Sequence, residues 1–552
     1  MKTIRIFCFL IFVAFLLISC GKQQTAVSSS AASRIVNIIN FIRQLEPRTE
    51  DPGMMQDELY ETVVEQVRQL KRHGLPGTFL LQYDALLNPK YQELLKNEPA
   101  SGFEVGAWWE ITQPHVEAAG MKWRGRFPWD WHADVGFATG YTPTEREKLV
   151  DEYMEKFKSI FGKYPASVGS WFIDAHTLGY MYDKYRIVAS CNCKDQVGTD
   201  GYTLWGGYWN QAYYPSRKNA YMPAQTESGQ IPVPIFRMLG SDPIYQYDTN
   251  LGSKSQGVIS LEPVYENGGG NRKWVEWFFH SIFDEPCLAF NYLQAGQENS
   301  FTWAQMQKGL EIQIPILDSL YKQGKIRVET LETSGRWFRE KYPVTPPTAV
   351  TALTDYRNQG NKTVWYNSRF YRVNLMWEGA SFRFRDIHLF DERMESDYLT
   401  KAGTSTQCIY TTLPVVDGYM WSSRDKTAGL YLTDRDGNHP AVNEPLVSEL
   451  PDNVLQVEFS TASKQIFRIV FYEDRFEMVC TKGAADWLLE LETASDTELP
   501  FRSVESNRIE ASWNGFDYSV IFEKGDVEKA DNSLFRIKPN KGKIVVKGMN
   551  KY

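Results

Sequence analysis

Over the first 342 residues, apolar positions come in short continuous runs separated by amphipathic stretches. Val36-Asn-Ile-Ile-Asn-Phe41, Thr78–Tyr83 and Phe103–Trp108 read as strands buried on both faces. Ser167–Ile173, Arg186–Cys191, Ile231–Leu239, Gly257–Glu262 and Cys287–Gln294 continue the series. Helical spacing lies between them. Leu59, Val63, Val67 and Leu70 share one face ahead of Gly74, and Leu149, Tyr153, Phe157 and Ile160 form a second stripe ending at Gly162. Thr142-Pro-Thr-Glu145 predicts a capping box, and Asn88-Pro89 opens a short helix. Residues 271–283 and 302–324 read as further helices. Buried strands alternating with helices require parallel pairing through right-handed crossovers. Seven or eight such units within residues 34–342 fit a (β/α)7–8 barrel better than an open sheet.

The pattern changes after the proline-rich segment 343–350. Tyr371–Trp377, Ser381–Phe384, Val454–Phe459, Ile466–Tyr472, Arg475–Val479, Trp487–Leu491 and Tyr518–Phe522 are strand-like and separated by Gly, Asp and Asn turns. No strong helical stripe interrupts them, so residues 351–552 are expected to form an all-β sandwich domain.

The N-terminus reads as an address. Lys2 and Arg5 precede the apolar run Ile6–Ser19, which is shorter than the roughly 20 residues of a membrane span. It ends in Leu17-Ile18-Ser19-Cys20-Gly21, which resembles a bacterial lipobox. That resemblance implies a signal peptide over residues 1–19, acylation of Cys20 (palmitate included) and a tether over 20–33 that anchors the protein in a bacterial envelope membrane. No acidic run follows Cys20, so the outer-membrane face is left open. Of the other cysteines, Cys191 and Cys193 are near neighbours, but no second pair or His-x-x-x-His lies nearby; buried strand-end thiols are favoured over zinc ligands.

Composition narrows the substrate. Sixty basic and 68 acidic residues leave a formal charge of −8, which gives no general attraction for nucleic acid. Aromatics reach 14%, and five of the 17 tryptophans (Trp108, Trp109, Trp123, Trp129 and Trp131) fall between Phe103 and Trp131. The segment 193–230 adds Tyr202, Trp205, Tyr208, Trp209, Tyr213 and Tyr214. Rings of this kind stack on the C–H faces of sugars, and they also pack long loops onto a barrel; both uses are expected.

In a parallel barrel, reactive groups collect just beyond the C-terminal strand ends. Those positions hold Arg43, Glu46, Asp84, Glu110, Asp174, His176, Asp195, Asp200, Asp242, Asp248, Glu262, Glu266, Gln297 and Glu298, with Glu104 inside the third strand. Any one of them is more often a salt bridge or a helix cap, and the cluster is what argues for a site. His176 reads either as a neighbour that sets the protonation of Asp174 or as a helix cap. Arg124 and Arg126 read as partners for a uronate or sulfate, or as solvated loop charges.

Glu104-Val-Gly-Ala-Trp108 resembles the Glu-Ile-Gly-x-His stretch of polysaccharide deacetylases. The order of elements over residues 34–342 is similar to the glycoside hydrolase/deacetylase barrel superfamily, which includes the family 57 glycoside hydrolases. Ser170–Asp174, Gly198–Gly207, Leu239–Pro243 and Gln294–Glu298 are similar to Bacteroides-type lipoproteins with an appended β domain. The deacetylase metal motif departs here: Asn40-Phe-Ile-Arg43 lacks the aspartate pair, Trp108 stands for the first histidine, and His115 lies seven residues on. The resemblance therefore implies glycosidase chemistry with no metal or other cofactor. By position in family 57, Asp174 is the expected nucleophile or base and Glu298 the expected acid. Arg43, Asp84, Glu104, Trp108, Trp109, Asp200, Trp205, Asp242 and Glu262 are expected to bind the carbohydrate. A metal-dependent polysaccharide deacetylase, with Asp174-x-His176 in a different site, and a non-catalytic glycan-binding lipoprotein are the alternatives.

Overall fold

The computed structural model describes residues 32–44, 52–96, 98, 102–483, 486–530 and 534–548. The signal peptide, Cys20, the tether up to residue 31 and Glu46 lie outside the described residues. From Ser33 onward the chain forms one compact unit. Among the described residues no helix is long and apolar enough to cross a membrane.

Seven strands run parallel in chain order: β1 (Ser33–Ile42), β2 (Thr78–Leu81), β3 (Glu104–Trp108), β4 (Ser167–Gly169), β5 (Ala189–Asn192), β6 (Ile235–Arg237) and β7 (Phe290–Ala295), with β7 returning to β1. An eighth, β8 (Arg327–Glu329), pairs in parallel with the start of β1, on the edge whose later part pairs with β2. Closure is nearly complete. Between β6 and β7 the short strand Ala212–Tyr213 runs antiparallel to β6. Next to it, Gln211 stands in for a backbone ladder: its side chain accepts from Tyr292 N at 2.8 Å and donates to Asn291 Oδ1 at 2.6 Å. Gln294 Oε1 also accepts from Leu239 N at 2.8 Å. Two glutamine amides thus satisfy backbone groups that a buried seam would leave unpaired.

The helices form where the periodicity predicts. Pro52–His73 buries Leu59, Val63, Val67 and Leu70. Pro143–Phe161 carries the Thr142/Glu145 capping box and ends on Gly162 at φ +77°. Asn271 caps Arg272–Phe283 by accepting from Trp274 N. The segment Gly257–Glu262 differs from expectation. It is an irregular loop, held by a single bridge between Ser241 and Ser260 and by Leu261 N on Leu239 O. Gly268 and Gly269 press against it so closely that a Cβ would fall 2.2 Å from Ser260 O and 2.1 Å from Leu261 O.

From Thr348 onward, apart from strand Cys408–Thr411, the strands are antiparallel and form two large sheets, one of nine strands and one of eight. Tyr366 stacks on Phe471 and Trp377 meets Phe459, so the sheets face one another. Val454–Ser460 in the second sheet alternates buried and half-buried residues. Tyr371–Glu378 in the first is buried on both sides, because its other face packs on the barrel loops. There Trp365 lies flat on Trp209 with ring centroids 3.8 Å apart. Arg372 places Nη1 2.5 Å from Asp195 Oδ2 and grips Asp386 with Nε and Nη2 at 2.8 and 2.7 Å. Arg237 of β6 reaches the other oxygen of Asp195 at 2.5 Å. All four groups are fully buried.

A buried ion pair becomes costly when one member is removed, since the other charge stays behind without a partner. Arg372→Ala is expected to destabilise the protein by about 3–5 kcal/mol. A loss of unfolding free energy in urea titration smaller than a third of that would show that the network contributes little.

Candidate active site

A cavity of about 530 Å³ opens at the C-terminal end of the barrel, within the ~300–1,000 Å³ typical of small-ligand sites. Its charged lining comes from five places: Arg43 after β1, Glu110 after β3, Lys194 and Asp200 after β5, Glu262 in the irregular loop, and Glu298 after β7. Trp129, Trp131, Trp171, Tyr202 and Tyr265 supply aromatic walls.

Arg43 lies between two carboxylates. Its Nε and Nη2 grip Glu110 at 2.9 and 2.5 Å, and its Nη1 lies 2.7 Å from Glu298 Oε2. Trp129 covers the guanidinium, with its ring centroid 4.5 Å from Cζ. The two carboxylates are not equivalent. Glu110 also accepts from Gln82 Nε2 at 2.7 Å and Trp171 Nε1 at 2.8 Å, so four donor atoms converge on it. With Arg43 already neutralised by this grip, Glu298 has only a share of one cation. Burial pushes its pKa up to about 7, against the opposing pull of Arg43; the nearby Glu110 and Glu262 raise it further.

Glu262 faces the same cavity. Ser260 Oγ donates to its Oε2 at 2.6 Å and Gln297 Nε2 to its Oε1 at 3.3 Å. Burial raises its pKa, and the Lys194 ammonium opposes that shift most strongly. Lys194 is itself buried and donates to Gln196 Oε1 at 3.0 Å. It belongs to the segment leading into the hairpin of strands Gln196–Thr199 and Tyr202–Trp205. Asp200 occupies the exposed turn at φ +57°. Strand Cys408–Thr411 of the C-terminal region pairs in parallel with Tyr202–Trp205, so residues far along the chain brace this wall.

The expected site residues therefore divide. Arg43, Asp200, Glu262 and Glu298 come together at the cavity. Asp174 does not, which corrects its expected role as nucleophile. It is fully buried, caps helix Ala175–Tyr185 through Thr177 N and Thr177 Oγ1, and pairs with buried Arg146 at 2.9 Å. Glu104 starts β3 at the opposite end of the barrel, where it accepts from Thr78 Oγ1 and Glu332 N. Asp84 sits in the first turn of the short helix Tyr83–Leu87, its Oδ1 accepting from Ala85 N. Asp242 is buried under Ile244 N, Tyr245 N and Trp274 Nε1, and burial pushes its pKa up to about 6. Trp108 is beneath the cavity floor, stacked on Phe41 at 4.3 Å and edge-on to Trp171. Trp109 packs in the core against His115 and Tyr153, and Trp205 donates to Asp417 at the seam with the first antiparallel sheet. None of these seven lines the cavity.

Arg124 and Arg126 tie down their own loop. Arg124 donates to Gly140 O and lies over Tyr141, and Arg126 forms a two-pronged pair with Asp130. His176 pairs with Glu147. The residues that strand-end reasoning missed are Lys194, adjacent to Asp195, and Trp171, adjacent to Ser170. Their signal was the same nearness to a strand end, hidden because neither is a carboxylate.

A deacetylase barrel implies a divalent metal, and the donor set here does not fit one. No imidazole lines the cavity. His115 is buried on Leu149 O and stacked on Tyr83, and burial pushes its pKa down to about 4. Among the described residues no group of three His, Cys, Asp or Glu side chains converges as metal ligands would. Cys191 and Cys193 are buried, and desolvation raises both thiols.

No family profile matches the sequence, and no curated protein is similar to it. Among solved structures, a candidate glycoside hydrolase/deacetylase from Parabacteroides distasonis superposes with a TM-score of 0.52 at 14% identity, over 72% of this chain and 93% of that one. The two share a fold. A 4-alpha-glucanotransferase from Thermococcus litoralis (TM-score 0.30, 9% identity, 94% of this chain and 100% of that one) is too distant to carry weight. The same holds for a candidate polysaccharide deacetylase from Pseudomonas aeruginosa PAO1 (0.34, 12%, 56% and 93%).

If Glu110 engages Arg43 and so leaves Glu298 its proton, Glu110→Gln hands the guanidinium to Glu298. The Glu298 titration is then expected to move down by roughly 1–3 pH units. It can be followed by the infrared carboxyl band that Glu298→Gln removes; an unmoved midpoint would refute the charge sharing.

Proposed function

We propose that this chain is a glycoside hydrolase acting on an oligo- or polysaccharide, with Glu298 as general acid and Glu262 as the nucleophile or base. The observation that carries this reading is the shared cation. One arginine between two buried carboxylates leaves Glu298 protonated near neutral pH, as a group that donates to a glycosidic oxygen must be. Glu262, oriented by Ser260 and Gln297 and offset in charge by Lys194, supplies the second carboxyl that such chemistry needs. As Glu298 gives its proton to the departing oxygen, Glu262 attacks the anomeric carbon or takes a proton from water. The aromatic walls fit the apolar faces of a sugar ring. The name of the Parabacteroides protein, which covers both activities, is compatible with this assignment.

The pH dependence follows from the sign of the shift. Glu298 is raised, so the active acid is present below about pH 7 and is lost as pH rises through it. Glu298→Gln is expected to lower kcat by roughly 10²–10⁴-fold and to abolish the alkaline limb. Release of reducing sugar from an oligosaccharide panel measures both; unchanged turnover defeats the assignment. Acetate release that a chelator stops would replace it with deacetylation, and binding without turnover would leave a glycan-binding protein.

We further propose that Cys20 carries the lipid anchor and that the enzyme works at an envelope membrane. Labelled palmitate is expected to enter the wild-type chain and not the Cys20→Ala variant; equal labelling of the two removes the anchor.

A further inference from the structure

The loop between Met121 and His132 is irregular, yet four contacts pin it. Trp123 Nε1 donates to Phe127 O at 2.9 Å, and Gln113 N donates to Pro128 O at 2.8 Å. Arg124 donates to Gly140 O at 2.7 Å, and Arg126 is clamped on Asp130 at 2.8 and 2.7 Å. A loop held this way presents its side chains at fixed positions. Its aromatic residues run from the cavity outward. Trp129 is 5% exposed and covers Arg43. Trp131 is half-buried and forms part of the cavity wall. Phe127 is 39% exposed and lies nearly parallel to Trp131, with the planes at 12° and the centroids 6.2 Å apart.

We propose that Phe127 and Trp131 form an outer subsite that stacks on a sugar ring of an uncharged glycan chain, next to the ring held in the cavity. The inference rests on the glycosidase reading for the inner ring. Continuity argues for the occupant, since Trp131 belongs both to the cavity wall and to the outer stack. Flat apolar rings on a rigid support match the C–H face of a pyranose and need no induced ordering. Charge argues for a neutral chain. Beside these rings Arg126 is matched by Asp130 and lies over Phe127 and Trp131 at 5.5 and 4.8 Å, and Arg124 is engaged by two carbonyls and the Tyr141 ring, so neither guanidinium is left over for an anionic sugar. The protein should therefore prefer chains to single sugars.

The test measures binding and not turnover. Full-length Glu298→Gln protein is titrated calorimetrically with cello-, xylo-, manno-, malto- and chito-oligosaccharides of one to six units. In at least one series, affinity is expected to rise with length. Adding Phe127→Ala should weaken the hexamer by about tenfold, an effect near 1.4 kcal/mol, and the monosaccharide less than twofold. Phe127→Trp should restore the hexamer. Affinity independent of length, equal loss for monomer and hexamer, no loss, or no binding by any series would overturn the subsite. Hexamer binding that depends on Phe127, in a protein whose wild type releases no reducing sugar, keeps the subsite and removes the glycosidase.

Discussion

The position of Asp195 constrains the whole mouth of the barrel. Its two oxygens are held by Arg237 from β6 and by Arg372 from the first antiparallel sheet, all out of contact with water. Tyr221 Oη adds a third bond at 2.5 Å and Gly206 N a fourth at 3.1 Å. A carboxylate so fully engaged cannot move without exposing unpaired charge in a medium of low dielectric. Lys194 and Gln196 are its chain neighbours. Fixing Asp195 therefore fixes where the Lys194 ammonium enters the cavity and where the hairpin to Trp205 begins. The C-terminal region is accordingly part of the site's framework, through Arg372 and through the parallel pairing of Cys408–Thr411.

The Asp195 network and the Arg43 cluster at the barrel mouth differ in how many cations their buried carboxylates share. At Asp195 two guanidiniums hold its two oxygens and Arg372 also grips Asp386, so two buried carboxylates there share two guanidiniums. At Arg43 one guanidinium meets two carboxylates, so burial acts on whichever has fewer donors, and that is Glu298. The difference is one of stoichiometry and not of residue type. It explains how a protein of modest net charge can hold both inert ion pairs and a carboxyl poised near neutrality. The floor beneath is apolar: Phe41, Trp108 and Trp171 pack together under the pair and keep water from screening it.

Much of the barrel could be read from the chain because its strands are buried on both faces and its helices carry explicit caps. Thr142, Glu145 and Gly162 mark one helix as plainly in sequence as in space. The failures have local causes. Gly257–Glu262 is apolar enough for a strand, but the glycines at 268 and 269 bring a second loop onto its backbone, where a parallel neighbour would have paired. Arg372 and Asn374 occupy the polar positions of an alternating strand, a pattern that normally marks a solvent face. Both are buried, because that face packs on the barrel loops and not on water. Alternation reports polarity, and it cannot tell water from a buried carboxylate 177 residues away.

Carboxylates at strand ends fared unevenly for a related reason. In a βα unit the residue after the strand is also the residue before the helix, so the position that suits catalysis also suits capping. Asp174 is captured this way by Thr177 N, and the short aspartates at 84 and 242 likewise satisfy backbone N–H groups one to three residues ahead. Glu298 precedes a turn of 3-10 helix at Asn299–Phe301 and makes no side-chain cap there. Glu110 and Glu262 precede no helix directly. A glutamate has one more methylene than an aspartate and reaches past the backbone groups that a cap would satisfy. Apart from Asp200 in its hairpin turn, the carboxylates that reach the cavity are therefore the long ones, none of them capping an α-helix, while the short ones at 84 and 174 beside helix starts are taken up by the fold.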